Sequence, residues 1–142
     1  MTTTSTARDY LDQVRQIDEQ MRIIQSQISN IVELSGMSYD KVPGGTNDSS
    51  RTEKLAFRRL ELLERYENKR SELVRLRYQV TDTILNLKGR YQQEVLFKRY
   101  VELKRWNRIA SEMNLSVSMT FNVHKAALEA VAEILKDWSK VE

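Results

Sequence analysis

The scarcity of residues that interrupt helices restricts the fold more than any other feature of this chain. The 142 residues include four glycines and one proline, and three of these five stand together at Pro43, Gly44 and Gly45. Glycine and proline disfavour helix interiors, whereas the plentiful Leu, Lys, Arg, Glu and Gln favour them. The composition therefore predicts an all-α protein. The sequence has no cysteine, which removes disulfides, thiolate metal ligands and thiol nucleophiles.

A long first helix is predicted from about Ser5 to Leu34. Its apolar residues recur at alternating intervals of three and four, the period of a coiled-coil seam: Val14, Ile17, Met21, Ile24, Ile28 and Ile31. Gly36 suits the left-handed position that follows many helices, so residues 36–50 are expected to form a flexible loop. Within it, Pro43-Gly44-Gly45 lacks the Gly-Lys-Ser/Thr ending of a P-loop, which argues against a nucleotide site there.

A second long helix is predicted from about Ser50 to Lys88, because Ser50 and Glu53 have capping-box spacing. Its apolar positions are Leu63, Tyr66, Leu73, Val80, Ile84 and Leu87. Acidic residues outnumber basic ones by seven to four in residues 1–50, and basic residues outnumber acidic ones by ten to six in residues 51–88. These opposite charges favour a long antiparallel, coiled-coil-like helical hairpin over residues 1–88. Arg70 and Arg77 occupy two of its seam positions, so part of the second helix is expected to pack on the C-terminal module or on another copy in a homodimer.

Three shorter helical pieces are predicted within a C-terminal domain of residues 89–142. Val95, Leu96, Tyr100 and Leu103 mark the first piece, and Trp106, Ile109, Ala110 and Met113 mark the second at helical spacing. Asn114-Leu115-Ser116 interrupts the pattern, and Ser116 is a good N-cap for a helix that starts at Val117. A helix, a short turn and a second helix predict a helix-turn-helix, whose second helix enters the DNA major groove.

A local basic patch lies in the same segment. Between Lys98 and Arg108 there are five bases and one acid, although the net charge of the chain is only +3. Such a patch suits contacts with DNA phosphates, which supply most of the non-specific affinity. A solvated helix face explains the same charges about equally well.

The C-terminal residues also carry a family resemblance. Val95-Leu96, Arg99-Tyr100, Trp106, Ile109-Ala110, Leu115-Ser116, Val123 and Ala127-Leu128 resemble region 4 of bacterial sigma factors, a helical promoter-binding module. The longer pattern, from Arg99-Tyr100 to His124 and Ala127-Leu128, is similar to a family of small phage and prophage proteins of Gram-positive bacteria. That resemblance covers most of the chain and implies a regulator of phage transcription that acts in the bacterial cytoplasm, with RNA polymerase as a further partner.

The predicted DNA-contacting residues lie between the apolar positions. Ser116, Ser118, Met119 and Asn122 are candidates for contacts with base edges, because Ser and Asn can hydrogen-bond to bases. Arg99, Lys104, Arg105, Arg108 and Lys125 are candidates for phosphate contacts. The first turn of this helix is poorer in charge than the corresponding helix of sigma region 4, so affinity is expected to need dimerisation, the basic patch or RNA polymerase.

The sequence indicates neither an enzyme nor a cofactor or metal site. His124 is the only histidine, and one histidine without cysteine is a poor basis for zinc binding. We expect its ring to pack or hydrogen-bond inside the C-terminal module. Tyr100 and Trp106 are likewise expected to be core residues rather than stacking platforms for bases. The resembling family has an aromatic residue at the position of Phe121, which implies that Phe121 is buried as well. No apolar run reaches the roughly 20 residues of a membrane span, and the N-terminus lacks the apolar stretch of a signal peptide.

Two other functions remain open at this point. Small subunits of phage terminases also combine a helix-turn-helix with coiled helices, but they usually place the DNA-binding module first. Alternatively, the C-terminal module is a protein-interaction adaptor that binds RNA polymerase or another regulator without touching DNA. The uncharged first turn of the predicted recognition helix favours this second alternative.

Overall fold

The computed structural model describes residues 3–41 and 46–141, and every regular element in these ranges is helical. The long helices are α1 (Thr3–Lys41) and α2 (Thr46–Leu85). They are followed by α3 (Arg90–Leu96), which continues directly into a π-helical segment (Phe97–Val101), and by α4 (Trp106–Met113) and α5 (Val117–Val141). The predicted all-α class is confirmed.

The two long helices extend further toward each other than predicted. Helix α1 passes through Gly36 and continues to Lys41, and α2 already begins at Thr46. The expected loop of residues 36–50 was therefore too long at both ends. One glycine in a helix interior costs only about 1 kcal/mol relative to alanine, which a long helix tolerates. Residues 42–45, which include the Pro-Gly-Gly sequence, lie outside the described residues.

The chain divides into two compact units. The middle unit comprises Ile17–Leu73, and the terminal unit comprises Met1–Gln16 together with Val74–Glu142. Both long helices contribute to both units. The first turns of α1 thus belong to the same unit as the predicted DNA-binding module.

The middle unit is held by an apolar cluster between α1 and α2. Ile24 and Ile31 of α1 are buried with Leu62 of α2, and Ile28, Leu55 and Tyr66 pack against them. The α1 seam is therefore apolar and inward, as its periodicity predicted. Arg70 of this unit is exposed, and its guanidinium lies 4.0 Å from the Glu67 carboxylate. This arginine does not enter the core.

In the terminal unit, the first turns of α1 supply core residues. Ala7, Leu11 and Val14 are fully buried, together with Val80 and Ile84 of α2. Helices α3 and α4 both pack on α5. Their shared cluster buries three residues and has three others packed against it: Val95, Ile109, Met113, Trp106, Leu115 and Val123. The same apolar cluster therefore holds α4 and α5 against each other.

Tyr10 joins three helices of the terminal unit. Its phenol oxygen lies 2.8 Å from Oγ1 of Thr83, which is fully buried on α2. Its ring meets the Trp138 ring of α5 edge-on, with 6.2 Å between centroids. Burial raises the pKa of the Tyr10 phenol above its ordinary value. The phenol therefore stays neutral and serves as a packing and hydrogen-bonding group.

The connection from α3 to α4 is irregular. The Glu102 amide donates to the Phe97 carbonyl at 2.9 Å, which widens the last turn into a π-helix. Leu103 then adopts a φ of 58°, in the left-handed region that disfavours side chains with a Cβ. The Lys104 amide donates back to the Lys98 carbonyl at 2.9 Å. This turn sets where the basic residues of the patch lie.

Candidate nucleic-acid interface

Helices α4 and α5 are joined by the three-residue turn that the sequence predicted. Asn114 closes α4 with φ 56° and ψ 40°, a left-handed conformation that asparagine tolerates better than most residues. The Leu115 amide donates to the Ala110 carbonyl at 3.0 Å. Ser116 then caps α5, because its Oγ accepts the Met119 amide at 3.1 Å. Ser116 therefore already has a structural task at the start of the helix.

The exposed face of α5 carries the remaining base-contact candidates. Ser118, Asn122 and Lys125 are all exposed, and Met119 is 50 % exposed. Thr120 points the opposite way: it is fully buried, and its Oγ1 donates to the Ser116 carbonyl at 2.9 Å. The exposed surface of these first turns is therefore mixed: a polar stripe of Ser118, Asn122 and Lys125 lies beside the exposed apolar side chains of Val117, Met119 and Phe121.

Phe121 is not the core residue that the sequence predicted. It is 46 % exposed and touches the Trp106 ring edge-on, with 5.0 Å between centroids. The helical register explains the difference, because the buried neighbours Thr120 and His124 already occupy the inward positions of this turn. Trp106 is half-buried and packs against the α3–α4 cluster, which agrees with its predicted core role.

Arg99 contacts neighbouring residues and stabilises the local structure. Its guanidinium carbon lies 4.7 Å from the centre of the Trp106 ring, a cation–π arrangement. One of its N–H groups also donates to the Lys104 carbonyl at 3.1 Å. These contacts hold the irregular turn against α4, so Arg99 is half-buried and only partly available to a phosphate.

Three of the other four bases of the patch converge on one carboxylate. Lys98 Nζ and Lys104 Nζ donate to Oε1 of Glu112 at 2.7 and 2.8 Å, and Arg108 Nε donates to its Oε2 at 2.9 Å. Hydrogen bonds from Lys104, Lys98 and Arg108 lower the pKa of Glu112 to about 2. Glu112 is thus ionised at neutral pH and offsets part of the positive charge. Sequence reasoning missed it, although its position four residues after Arg108 is the usual spacing of a helical ion pair.

Arg105 and Arg108 are the two exposed bases of the patch, whereas Lys98, Arg99 and Lys104 are partly buried. The side chain of Arg108 is 70 % exposed despite its contact with Glu112, whereas those of Lys98 and Lys104 are 19 % exposed. Arg105 is exposed at the residue before α4, where the backbone is extended. Both arginines can therefore reach a phosphate by changing rotamer, without a change of backbone.

His124 packs and hydrogen-bonds inside the module, as expected. Its Nε2 lies 2.7 Å from the phenol oxygen of Tyr100, and both residues are buried. The Trp106 ring meets the imidazole edge-on at 4.6 Å. Burial, followed by the positive charges of Arg8 and Arg99, lowers the pKa of His124 to about 4. The imidazole is neutral at pH 7, so its Nε2 can accept a hydrogen bond from the Tyr100 hydroxyl.

The described residues contain no group of three or more His, Asp or Glu side chains that could hold a metal ion. Among the same residues, no helix combines the length and the apolar content that crossing a bilayer requires. Comparison of the chain with protein-family models, curated proteins and solved structures finds no significant match.

Proposed function

We propose that this protein is a phage-encoded regulator of transcription that binds double-stranded DNA through α4 and α5 as a helix-turn-helix. The observation that carries the proposal is the pairing of α4 and α5 across a capped three-residue turn. That turn leaves Ser118, Asn122 and Lys125 exposed on the second helix. In DNA-binding proteins of this type, such positions face the major groove.

The basic residues support the proposal at the first helix of the motif. Arg105 and Arg108 lie at the start of α4, where helix-turn-helix proteins meet the phosphate backbone. Lys125 adds a cation on α5. Phosphate contacts by these three residues would orient the motif, while Asn122 and Ser118 would read base edges. The resemblance to sigma region 4 gives the same assignment, with RNA polymerase as a further partner in the bacterial cytoplasm.

We further propose that α1 and α2 form an antiparallel hairpin that assembles two copies into a homodimer. Contacts of α1 with α2 within each unit support the hairpin. Large apolar side chains on the outer surface of the middle unit support self-association, since Phe57 is 67 % exposed, Ile23 64 % and Leu60 61 %. Two copies would double the DNA contacts of a module with few strong base-reading residues.

A second candidate function is a protein-binding adaptor. The observation that favours it is the apolar character of the first turns of α5, where Val117 is 39 % exposed, Met119 50 % and Phe121 46 %. Exposed aromatic and methionine side chains are typical of protein interfaces. In this alternative, α5 would dock on RNA polymerase or another regulator without contacting DNA.

Fluorescence anisotropy with fragments from the protein's own genomic neighbourhood separates the two functions. The regulator is expected to prefer one fragment over a scrambled sequence of equal length. Asn122→Ala should weaken the preferred complex by about 1–3 kcal/mol and leave scrambled DNA unaffected. Asn107→Ala, which removes the same amide from the exposed surface of α4, is the matched control. Equal binding of all fragments by the wild-type protein would favour the adaptor.

A further inference from the structure

A cleft lies beside α5 in the terminal unit, and Arg99 is the one predicted DNA contact among its lining residues. Its volume is about 470 Å³, within the range of pockets that bind small molecules. Arg8 and Asp9 of α1, Arg99, Trp106, Phe121 and His124 line it. The cleft therefore combines cations from two separate segments with aromatic walls, and all of these residues belong to one compact unit.

The charges in the cleft favour an anion. Asp12 is neutralised by Arg15, whose Nε donates to it at 2.8 Å. The remaining lining charges are Arg8, Arg99 and Asp9, which leave one net positive charge. Both arginines line the cleft together with His124, and the positive charge of each lowers the pKa of that histidine in addition to burial. Arg99 is also held in place by the Lys104 carbonyl and the Trp106 ring, so its position is set before any ligand arrives.

The aromatic walls favour a planar group. Trp106 is in edge contact with both Phe121 and His124, at 5.0 and 4.6 Å between centroids. Phe121 is 46 % exposed beside the cleft, where a planar ligand would cover it. The Asp9 carboxylate also lines the cleft and is a hydrogen-bond acceptor. A ligand with an exocyclic N–H group could therefore hydrogen-bond there as well.

We propose that this cleft binds a small planar anion, with its phosphate or carboxylate held by Arg8 and Arg99 and its ring packed against Trp106 and Phe121. A nucleoside monophosphate and an aromatic carboxylate share this chemistry. Arginine can bind either anionic group through two parallel N–H donors. The inference does not depend on DNA binding, because it concerns residues outside the predicted DNA contacts except for Arg99.

The test uses the full chain labelled with ¹⁵N and observes the two tryptophan indole N–H signals. Adenosine monophosphate is the probe for a phosphate ligand, and benzoate is the probe for a carboxylate ligand. Adenosine and inorganic phosphate are the controls, because each contains only one part of adenosine monophosphate. A saturable shift of the Trp106 signal, with the Trp138 signal unmoved, is the expected result for at least one probe. Whichever probe binds more tightly identifies the anionic group. No shift with either probe at millimolar concentration would overturn the proposal.

Matched variants locate the binding. Arg8→Gln should weaken the complex about tenfold or more, because a charge-assisted hydrogen bond is lost. Arg75→Gln removes the same charge from an exposed position of α2 in the same unit and should leave binding unchanged. Phe121→Ala, at a half-exposed position, tests the ring contact if Arg8→Gln does not fold. Equal binding by Arg8→Gln and wild type, or equal affinity for adenosine or phosphate alone, would contradict the proposed cleft.

Discussion

The phenol oxygen of Tyr100 lies 2.7 Å from Nε2 of His124, and this hydrogen bond joins the π-helical segment to α5. Both residues are buried, so if one partner is removed, bulk water cannot take its place in the hydrogen bond. The pair holds the irregular turn that carries the basic patch against the helix that carries Asn122. It is the polar link between the two halves of the candidate interface.

Removing that link should destabilise the protein. Tyr100→Phe leaves the buried Nε2 without its partner, which costs about 1–2 kcal/mol of unfolding free energy. Urea denaturation followed by circular dichroism measures the change. Tyr91→Phe is the control, because Tyr91 is 58 % exposed, and its effect should stay within about 0.5 kcal/mol. Equal effects of the two substitutions would show that the Tyr100–His124 bond contributes nothing.

Stability should fall as the pH drops from 7 to 5, because of His124. Its folded-state pKa is lowered to about 4 from an ordinary 6.5. Between these values the unfolded chain binds a proton that the folded protein does not, so folding becomes less favourable as pH decreases. With allowance for solvent screening, we expect a loss of about 1–2 kcal/mol. The contribution of Glu112, whose pKa is lowered, is lost only at more acidic pH, from about 4.5 toward 2.

The variant His124→Gln isolates this effect. It removes the titrating group, so its unfolding free energy should change little between pH 7 and pH 5, even if it is less stable than the wild type at pH 7. A wild-type protein whose stability is the same at both pH values would mean that His124 is protonated as readily in the folded state as in the unfolded one.

Ser116→Ala should lower the stability of the protein more than Ser118→Ala does, because only Ser116 caps α5. Ser116→Ala removes the oxygen that accepts the Met119 amide, and the loss of such a cap costs about 1 kcal/mol. Ser118→Ala removes an exposed hydroxyl on the same helix and should change stability by less than about 0.5 kcal/mol. Thermal unfolding of the two variants measures the contrast. A stable Ser116→Ala protein would show that another group satisfies the start of α5.

Glu112→Gln should raise DNA affinity. The substitution removes the carboxylate on which Lys98, Lys104 and Arg108 converge. Lys98 and Arg108 then become available to phosphates, whereas Lys104 keeps a second carboxylate, that of Glu102, at 3.5 Å. Binding to non-specific DNA should tighten about fivefold or more at low salt, and its salt dependence should steepen. Glu133→Gln, which removes an exposed carboxylate from α5 of the same unit, should give a smaller increase. An equal response of the two variants would indicate a general charge effect without a role for the Glu112 cluster.

Much of the local structure follows from sequence pattern, because it depends on neighbouring residues. The apolar seam of α1, the break at Asn114 and the cap at Ser116 each have a short-range signal, and each lies where it was expected. Burial of Tyr100 also follows from its helical spacing. The start and end of the loop between α1 and α2 were less predictable, since one glycine does not decide where a long helix ends.

Partners distant in the sequence were not predictable from periodicity. An apolar stripe on α1 shows which face is buried, but it does not reveal that the buried Leu11 belongs to the same compact unit as the C-terminal module. The π-helical segment and the positive φ of Leu103 were not predicted, because no pattern in the residues around them marks either feature. Phe121 was assigned to the core from a family pattern, whereas the helical register turns it outward.

The salt dependence of DNA binding tests the central proposal most directly. Affinity for one duplex should fall steeply with salt, and Arg105→Ala combined with Arg108→Ala should reduce the log–log slope by about two. Arg59→Ala combined with Arg65→Ala removes the same charge from exposed positions of the middle unit and should leave the slope unchanged. If the first pair binds DNA with wild-type affinity and slope, α4 does not contact the phosphate backbone and the proposed regulator is contradicted.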